Sequence, residues 1–212
     1  MIFHGYFRSS AAWRCRIAFN LKGLDYEFRG VHLQKSEHKS DDYVALNPQA
    51  LVPTLEAEGV VLTQSLAIME WLDETYPDVP LLPGDKNLRA QVRAFAQIIA
   101  CDIHPLQNLR VLNHLAETYG ADQAAKDAWC NTWLRPGLEA CEAIARKQAH
   151  GGAFVFGDTP TIADICLIPQ LASADRFKVD ISALGRLQEI RAACNALDAF
   201  SNAAPDRQPD NG

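Results

Sequence analysis

Residues 76–85 read Tyr76-Pro77-Asp78-Val79-Pro80-Leu81-Leu82-Pro83-Gly84-Asp85. Three prolines and a glycine in ten residues exclude a helix and a central strand, because each proline lacks the backbone N–H that either structure would use. The stretch reads as a linker over 77–85, joining a domain at 1–80 to a second domain at 86–212. The two sides differ in their apolar period, and that difference sets the expected fold.

Upstream, short apolar runs alternate with helical segments. Residues 1–6 form an apolar strand, Ser9-Ser10 can cap a helix from about Ala11 to Leu21, and Gly23 can end it. Residues 26–31 are a second strand, with Tyr26 and Phe28 on one face and Glu27 and Arg29 on the other. A short helix fits residues 40–45. Residues 54–57 and 60–63 are two strands joined at Glu58-Gly59, a hairpin signal, and Gln64-Ser65 can cap a helix that continues to Tyr76. The order is βαβ followed by ββα.

Downstream the period becomes about 3.6. Leu88, Val92, Phe95, Ile99, Ile103 and Leu106 recur by threes and fours, so one long helix is expected from Leu88 toward Leu112, with His104-Pro105 as a kink. A second helix should carry Trp129 and Trp133, break at Pro136-Gly137 and resume through Ile144. A third should open at Thr161-Ile162-Ala163-Asp164, a capping box with Asp in place of Glu. The tail after Phe200 reads as loosely ordered.

Composition bounds the function. The chain has 212 residues, 48% hydrophobic and 22% charged, with 20 basic and 26 acidic side chains for a net charge of −6. A chain of this length buries enough surface to need no metal or disulfide staple. The acidic balance argues against nucleic acid as a partner. The absence of a long apolar run argues against a membrane span, and no apolar leader is read at the N-terminus. The six cysteines never approach CxxC spacing, so reduced thiols in a cytoplasmic core are expected and no metal site.

Three places could carry chemistry. Arg8-Ser9-Ser10 lies where a strand becomes a helix, and the positive end of a helix favours an anion and lowers a thiol's pKa. Positions 9–12 read Ser-Ser-Ala-Ala, so a thiol there would have to arrive on a ligand and be held by a serine hydroxyl. Val52-Pro53 precedes a strand; a cis bond there would leave Val52 N–H and C=O to pair with an extended, peptide-like ligand. Gln64-Ser65 opens a helix and is a second anion site. Plain N-caps and an ordinary loop proline account for each of the three alone.

Taken together they resemble the soluble glutathione transferase superfamily across about residues 1–200. Ser9-Ser10-Ala11-Ala12-Trp13-Arg14-Cys15-Arg16 looks like the zeta-class signature, commonly Ser-Ser-Cys-Ser/Ala-Trp-Arg-Val-Arg. Asn47-Pro48-Gln49, Val52-Pro53-Thr54-Leu55 and Leu62-Thr63-Gln64-Ser65-Leu66-Ala67-Ile68 match the rest of that class's glutathione site. Asp102-Ile103-His104-Pro105-Leu106-Gln107-Asn108-Leu109 looks like its motif in the first long helix. The family's cysteine is Ala11 here, which removes any protein thiol from the pocket.

The resemblance implies an α/β, thioredoxin-like N-terminal domain, an all-α C-terminal domain and a homodimer. It implies glutathione as cofactor and cis–trans isomerisation of a maleyl keto acid; a compact diacid that suits several arginines, together with Ala11, favours maleylpyruvate over maleylacetoacetate. A general zeta-class transferase or dehalogenase, or a glutathione-binding module without turnover, are the alternatives. Ser9 and Ser10 are expected to face the glutathione sulfur, His38 its glycine end, Val52 its cysteinyl backbone, and Gln64 and Ser65 its γ-glutamyl carboxylate. Gln49, Asp102, His104, Asn108 and Arg110 complete the expected glutathione contacts. A dicarboxylate substrate calls for cations, and arginine suits a planar carboxylate; Arg8, Arg110 and Arg176 are the expected clamps, with Arg8 also serving the chemistry beside Ser9 and Ser10.

Overall fold

A computed structural model describes residues 1–148 and 152–211. The chain divides into two compact units, Met1–Leu82 with the segment from Asn195, and Pro83–Cys194.

The first unit is a four-stranded sheet with helices. Strands β1 (Ile2–Gly5), β2 (Glu27–Gly30), β3 (Thr54–Ala57) and β4 (Val60–Thr63) lie in the order β2-β1-β3-β4. β2 runs parallel to β1 through the crossover helix α1 (Ser10–Lys22), and β3 and β4 are antiparallel to their neighbours. The expected hairpin forms at Glu58-Gly59, whose φ values of 51° and 79° give the left-handed pair that a two-residue turn needs. Helices α2 (Asp41–Leu46) and α3 (Ser65–Thr75) follow the second and fourth strands. Phe3, Phe19, Leu55, Ile68 and Leu72 are fully buried, and the Phe3 and Phe19 rings meet edge to face at 5.3 Å. Truncating Leu72 to Ala in such a core costs about 2–5 kcal/mol.

The tail belongs to this unit, whereas the sequence reading assigned all of 86–212 to the helical domain and left the tail loose after Phe200. Ala203 is 1% exposed, and α9 (Asp198–Ser201) packs on α1. The reason is polar: Arg16 Nε donates to Ala203 O at 2.9 Å, and Asn20 Nδ2 donates to Ala199 O at 3.0 Å. A count of apolar residues does not register such bonds.

The second unit is helical: α4 (Lys86–Gln97), α5 (Leu109–Tyr119), α6 (Gln123–Gln148), α7 (Ile162–Arg176) and α8 (Gly185–Asn195). Two expectations change here. The single helix from Leu88 to Leu112 is instead α4, a π turn over Ile98–Ile103, a 3-10 turn over His104–Gln107, and then α5. Pro105 has no N–H for the carbonyl four residues back, and Asn108 opens a new helix by accepting from Val111 N–H. The apolar stripe survives the break, since Val92, Phe95, Ile99 and Ile103 are all buried. Conversely, α6 runs unbroken through Pro136. Pro136 and Thr132 are both exposed, so the carbonyl freed by the proline faces water. Gly137 serves close packing: a Cβ there would lie 2.4 Å from Ile103 Cδ1. The capping box at Thr161 and Asp164 forms as read, and α7 behind it is buried on every side through Leu171. No helix among the described residues is long and apolar enough to cross a membrane, and all six cysteines are free thiols.

Candidate active site

Strand register gathers the first unit's candidate residues at one end of the sheet. Gly5, the end of β1, pairs with Gly30, the end of β2; His4 pairs with Thr54, the start of β3; and Thr54 pairs with Thr63, the end of β4. The segments carrying Arg8-Ser9-Ser10, His38, Val52 and Gln64-Ser65 therefore all leave or enter the sheet at that end.

Ser9 is the N-cap of α1, its Oγ accepting from Ala12 N–H at 3.2 Å. With a lone pair so engaged, the hydroxyl proton is left to serve an anion. Ser10 is the first residue of the helix and half-buried, and Arg8 is exposed. No acidic residue occupies the first turn, so the positive end of the helix is not neutralised there.

The second helix start is more unusual. Gln64 takes a left-handed φ of 70° and does not cap α3 with its side chain; its Nε2 donates instead to Gln49 Oε1 at 2.8 Å. The plain-cap reading of Gln64 is thereby corrected, and two expected contacts, Gln49 and Gln64, are joined. Ser65 is 6% exposed and its Oγ accepts from Arg14 Nη1 at 3.3 Å. Val52-Pro53 is cis. The loop before it hangs on Asn47, whose Nδ2 donates to Leu51 O at 2.7 Å and to Thr54 Oγ1 at 3.1 Å, and on Tyr43, whose hydroxyl donates to Leu51 O at 2.7 Å. His38 is half-buried with Nδ1 unpartnered among the described residues, and burial, assisted by Lys39, lowers its pKa and keeps it neutral.

Sequence reasoning gave no role to Arg14, Tyr43 or Asn47. Asn47 and Arg14 stood within quoted motifs, but a charged residue on a helix reads as solvent-facing, and no pattern foretold that Arg14 would be buried.

The second unit carries the remaining candidates. His104 sits in the 3-10 turn, Asn108 caps α5, and Arg110 is exposed in that helix's first turn. Arg176 ends α7, with its guanidinium 5.1 Å over the Phe177 ring. One stretch of α6 ties these places together: Trp129 Nε1 donates to Leu106 O at 2.7 Å, and Asn131 Nδ2 donates to Phe177 O at 3.1 Å. Gln107 and Gln170 exchange amide hydrogen bonds beneath them. Asp102 instead lines an open groove of about 570 Å³ with Ile98, Cys101, Pro105, Leu106 and Trp133.

The comparisons with known proteins fall on both units. Residues 8–75 match the model of the glutathione S-transferase N-terminal domain, and residues 123–203 match that of the C-terminal domain. A maleylpyruvate isomerase from a Ralstonia species is 50% identical over 211 residues, covering 100% of both chains. The holo structure of a maleylpyruvate isomerase, described as a bacterial zeta-class glutathione S-transferase, superposes with a TM-score of 0.97 at 50% identity, again over 100% of both chains. A maleylacetoacetate isomerase from Methylobacterium extorquens AM1, solved with bound malonate and glutathione, superposes at 0.95 with 39% identity over 100% of both chains. The chain belongs to the glutathione S-transferase family, in its zeta class.

Proposed function

We propose that this protein is a glutathione-dependent cis–trans isomerase of a maleyl keto acid, converting maleylpyruvate to fumarylpyruvate in the breakdown of aromatic compounds. The observation that carries the reading is the start of α1: an unneutralised helix N-terminus presenting Ser9 and Ser10, in a chain with no thiol of its own there. The residues present fit glutathione. Its thiol meets the start of α1, an acidic end meets the uncapped start of α3, and its peptide portion has the backbone before β3 beside it.

When bound, glutathione supplies a thiolate that adds to the cis double bond, allows rotation about the resulting single bond and leaves again. The protein's share is electrostatic. The α1 N-terminus and the Ser9 and Ser10 hydroxyls hold the sulfur as its anion. Arg8 supplies positive charge for what develops on the keto acid, and Arg110 and Arg176 hold the substrate's carboxylates. His38, Val52, Gln49, Gln64 and Ser65 bind the tripeptide, joined by Asp102, His104, Asn108 and Arg110. Maleylpyruvate is favoured over maleylacetoacetate because the half-identical relative bears that activity's name and because a compact diacid suits several arginines.

A homodimer in the cytoplasm completes the proposal, supported by the open apolar groove beside Trp133 and by the six free thiols. Assaying both maleyl keto acids with and without glutathione, while following total thiol, tests the reading. An isomerase needs glutathione and leaves total thiol unchanged; full activity without glutathione overturns the mechanism, and thiol depletion reassigns the protein to group transfer.

A further inference from the structure

Arg14 is 2% exposed, yet it makes a single hydrogen bond, from Nη1 to Ser65 Oγ at 3.3 Å. Its Nε and Nη2 have no partner, and no carboxylate pairs with it among the described residues. Arg16, two residues on and equally buried, shows the usual solution: its guanidinium donates to Ala203 O, Tyr6 O and Phe7 O. A buried guanidinium left with open donors and no counter-charge is costly, and it persists where something else supplies the anion.

The neighbouring backbone is open in the same sense. The eleven-residue helix α3 begins at Ser65 without a side-chain cap, without an acidic residue in its first turn, and with the Gln64 amide committed to Gln49. Its leading N–H groups are therefore donors awaiting an acceptor. The hydrogen-bond logic at Ser65 points the same way. A guanidinium only donates, so Ser65 Oγ accepts, and its own proton is left for a third group, which must be an acceptor.

We propose that Arg14 is the positioning residue of this helix start: it fixes the Ser65 hydroxyl as a donor and supplies the buried positive charge behind it, so that the subsite selects a carboxylate over a neutral group. The assignment rests on the glutathione reading above, in which that carboxylate is the one on the γ-glutamyl end. Arg14 acts through Ser65 and touches no reacting atom.

The test is calorimetric binding of two ligands, glutathione and 4-aminobutyryl-cysteinyl-glycine, which differ only by the γ-glutamyl carboxylate. Wild type should prefer glutathione by roughly 10- to 100-fold, the range of a charge-assisted hydrogen bond to a carboxylate. Arg14→Met should erase most of that preference by weakening glutathione alone, leaving affinity for the truncated ligand within about threefold. Arg14→Lys, which restores the charge, should recover part of the preference. Should Arg14→Met not fold, Arg14→Gln, which keeps amide donors without charge, carries the same expectation. Equal weakening of both ligands, or an unchanged preference in the neutral variants, overturns the role of Arg14. Failure of wild type to bind glutathione at all overturns the isomerase reading and this inference with it, whereas tight glutathione binding with an unchanged preference overturns this inference alone.

Discussion

Asp210 Oδ2 accepts a hydrogen bond from the Phe7 backbone N–H at 2.9 Å, across 203 residues of chain. The bond ties the segment around Asp210 to Phe7, two residues before Ser9. Arg16 works from the other side of the same turn, with Nη2 donating to Phe7 O at 3.0 Å and Nη1 to Tyr6 O at 3.4 Å. The loop delivering Arg8 and Ser9 is thus held at both backbone polarities, its N–H by the tail and its carbonyls by α1.

Removing the carboxylate should loosen that loop. In Asp210→Ala the Phe7 N–H loses its partner, at a cost of about 1 kcal/mol for a half-buried donor and a fall in Tm of roughly 2–4 °C. The amide of Phe7 should exchange with deuterium faster than its neighbours in β1. Unchanged exchange at Phe7 would show that the tail does not hold the loop.

Arg16 should matter more. It is fully buried, and burial drives its pKa down to about 10, partly offset by Tyr26 and Asp210, so it remains charged at neutral pH. Arg16→Met removes the guanidinium donor from Ala203 O, Phe7 O and Tyr6 O, the last of which keeps the Ser9 N–H, and should cost about 3 kcal/mol or more. Arg16→Lys should rescue little of this, because one ammonium cannot reproduce the planar fork that reaches Ala203, Tyr6 and Phe7. Urea midpoints of the two variants near that of wild type would contradict this account.

The sequence disclosed features whose cause is local. The Glu58-Gly59 turn, the proline-rich break and the Thr161 capping box each depend on residues a few positions apart, and each forms as read. What was missed depends on distance or on polar burial. Pro136 reads as a break within the helix, but its exposed side leaves the freed carbonyl to water. The apolar stripe from Leu88 concealed the change of helix at 98–108, because a π turn followed by a 3-10 turn keeps Ile99 and Ile103 facing inward; the Asn108 cap was the overlooked sign. The loose reading of the tail failed because its anchors are hydrogen bonds to α1 and to Phe7. At the candidate site, Ser9, Gln64 and Ser65 were legible as helix starts, whereas the burial of Arg14 behind Ser65 was not.

Asp164 offers a test with a definite pH sign. The residue is fully buried, and desolvation raises its pKa to about 6 against the hydrogen bonds from Val155 N–H, Thr161 N–H and the Thr161 hydroxyl. Asp164→Ala strands those donors at the start of α7 and should cost about 3 kcal/mol or more at neutral pH. Because the folded pKa lies above the unfolded one, the folded state binds the extra proton between about pH 4 and 6, and wild type gains stability as pH falls through that window. The gap between wild type and Asp164→Ala should therefore widen by roughly 1 kcal/mol from pH 7.5 to pH 5. Urea denaturation at both values measures it; a gap that narrows in acid would mean that the carboxylate, and not the acid, is the favoured buried form.

Substituting Arg8, Arg110 and Arg176 in turn tests whether binding and chemistry fall to different residues. Arg110 is exposed at the start of α5 and Arg176 is exposed at the end of α7. If they hold the substrate's carboxylates, they act alike on ground state and transition state, so Arg110→Ala and Arg176→Ala should raise KM for the diacid with kcat nearly unchanged. If Arg8 faces the charge that develops on the keto acid, its contact strengthens only as the reaction proceeds, so Arg8→Ala should lower kcat. Each lost charge-assisted contact should cost about 2–4 kcal/mol, roughly 30- to 1000-fold in kcat/KM. Glutathione and the diacid must be varied separately, because a rise in KM for glutathione in Arg110→Ala moves that residue to the cofactor. Arg110 is exposed at the start of α5, so its truncation should leave Tm close to wild type and its kinetic change interpretable. Three variants with wild-type kinetics would remove the cationic clamp from the mechanism.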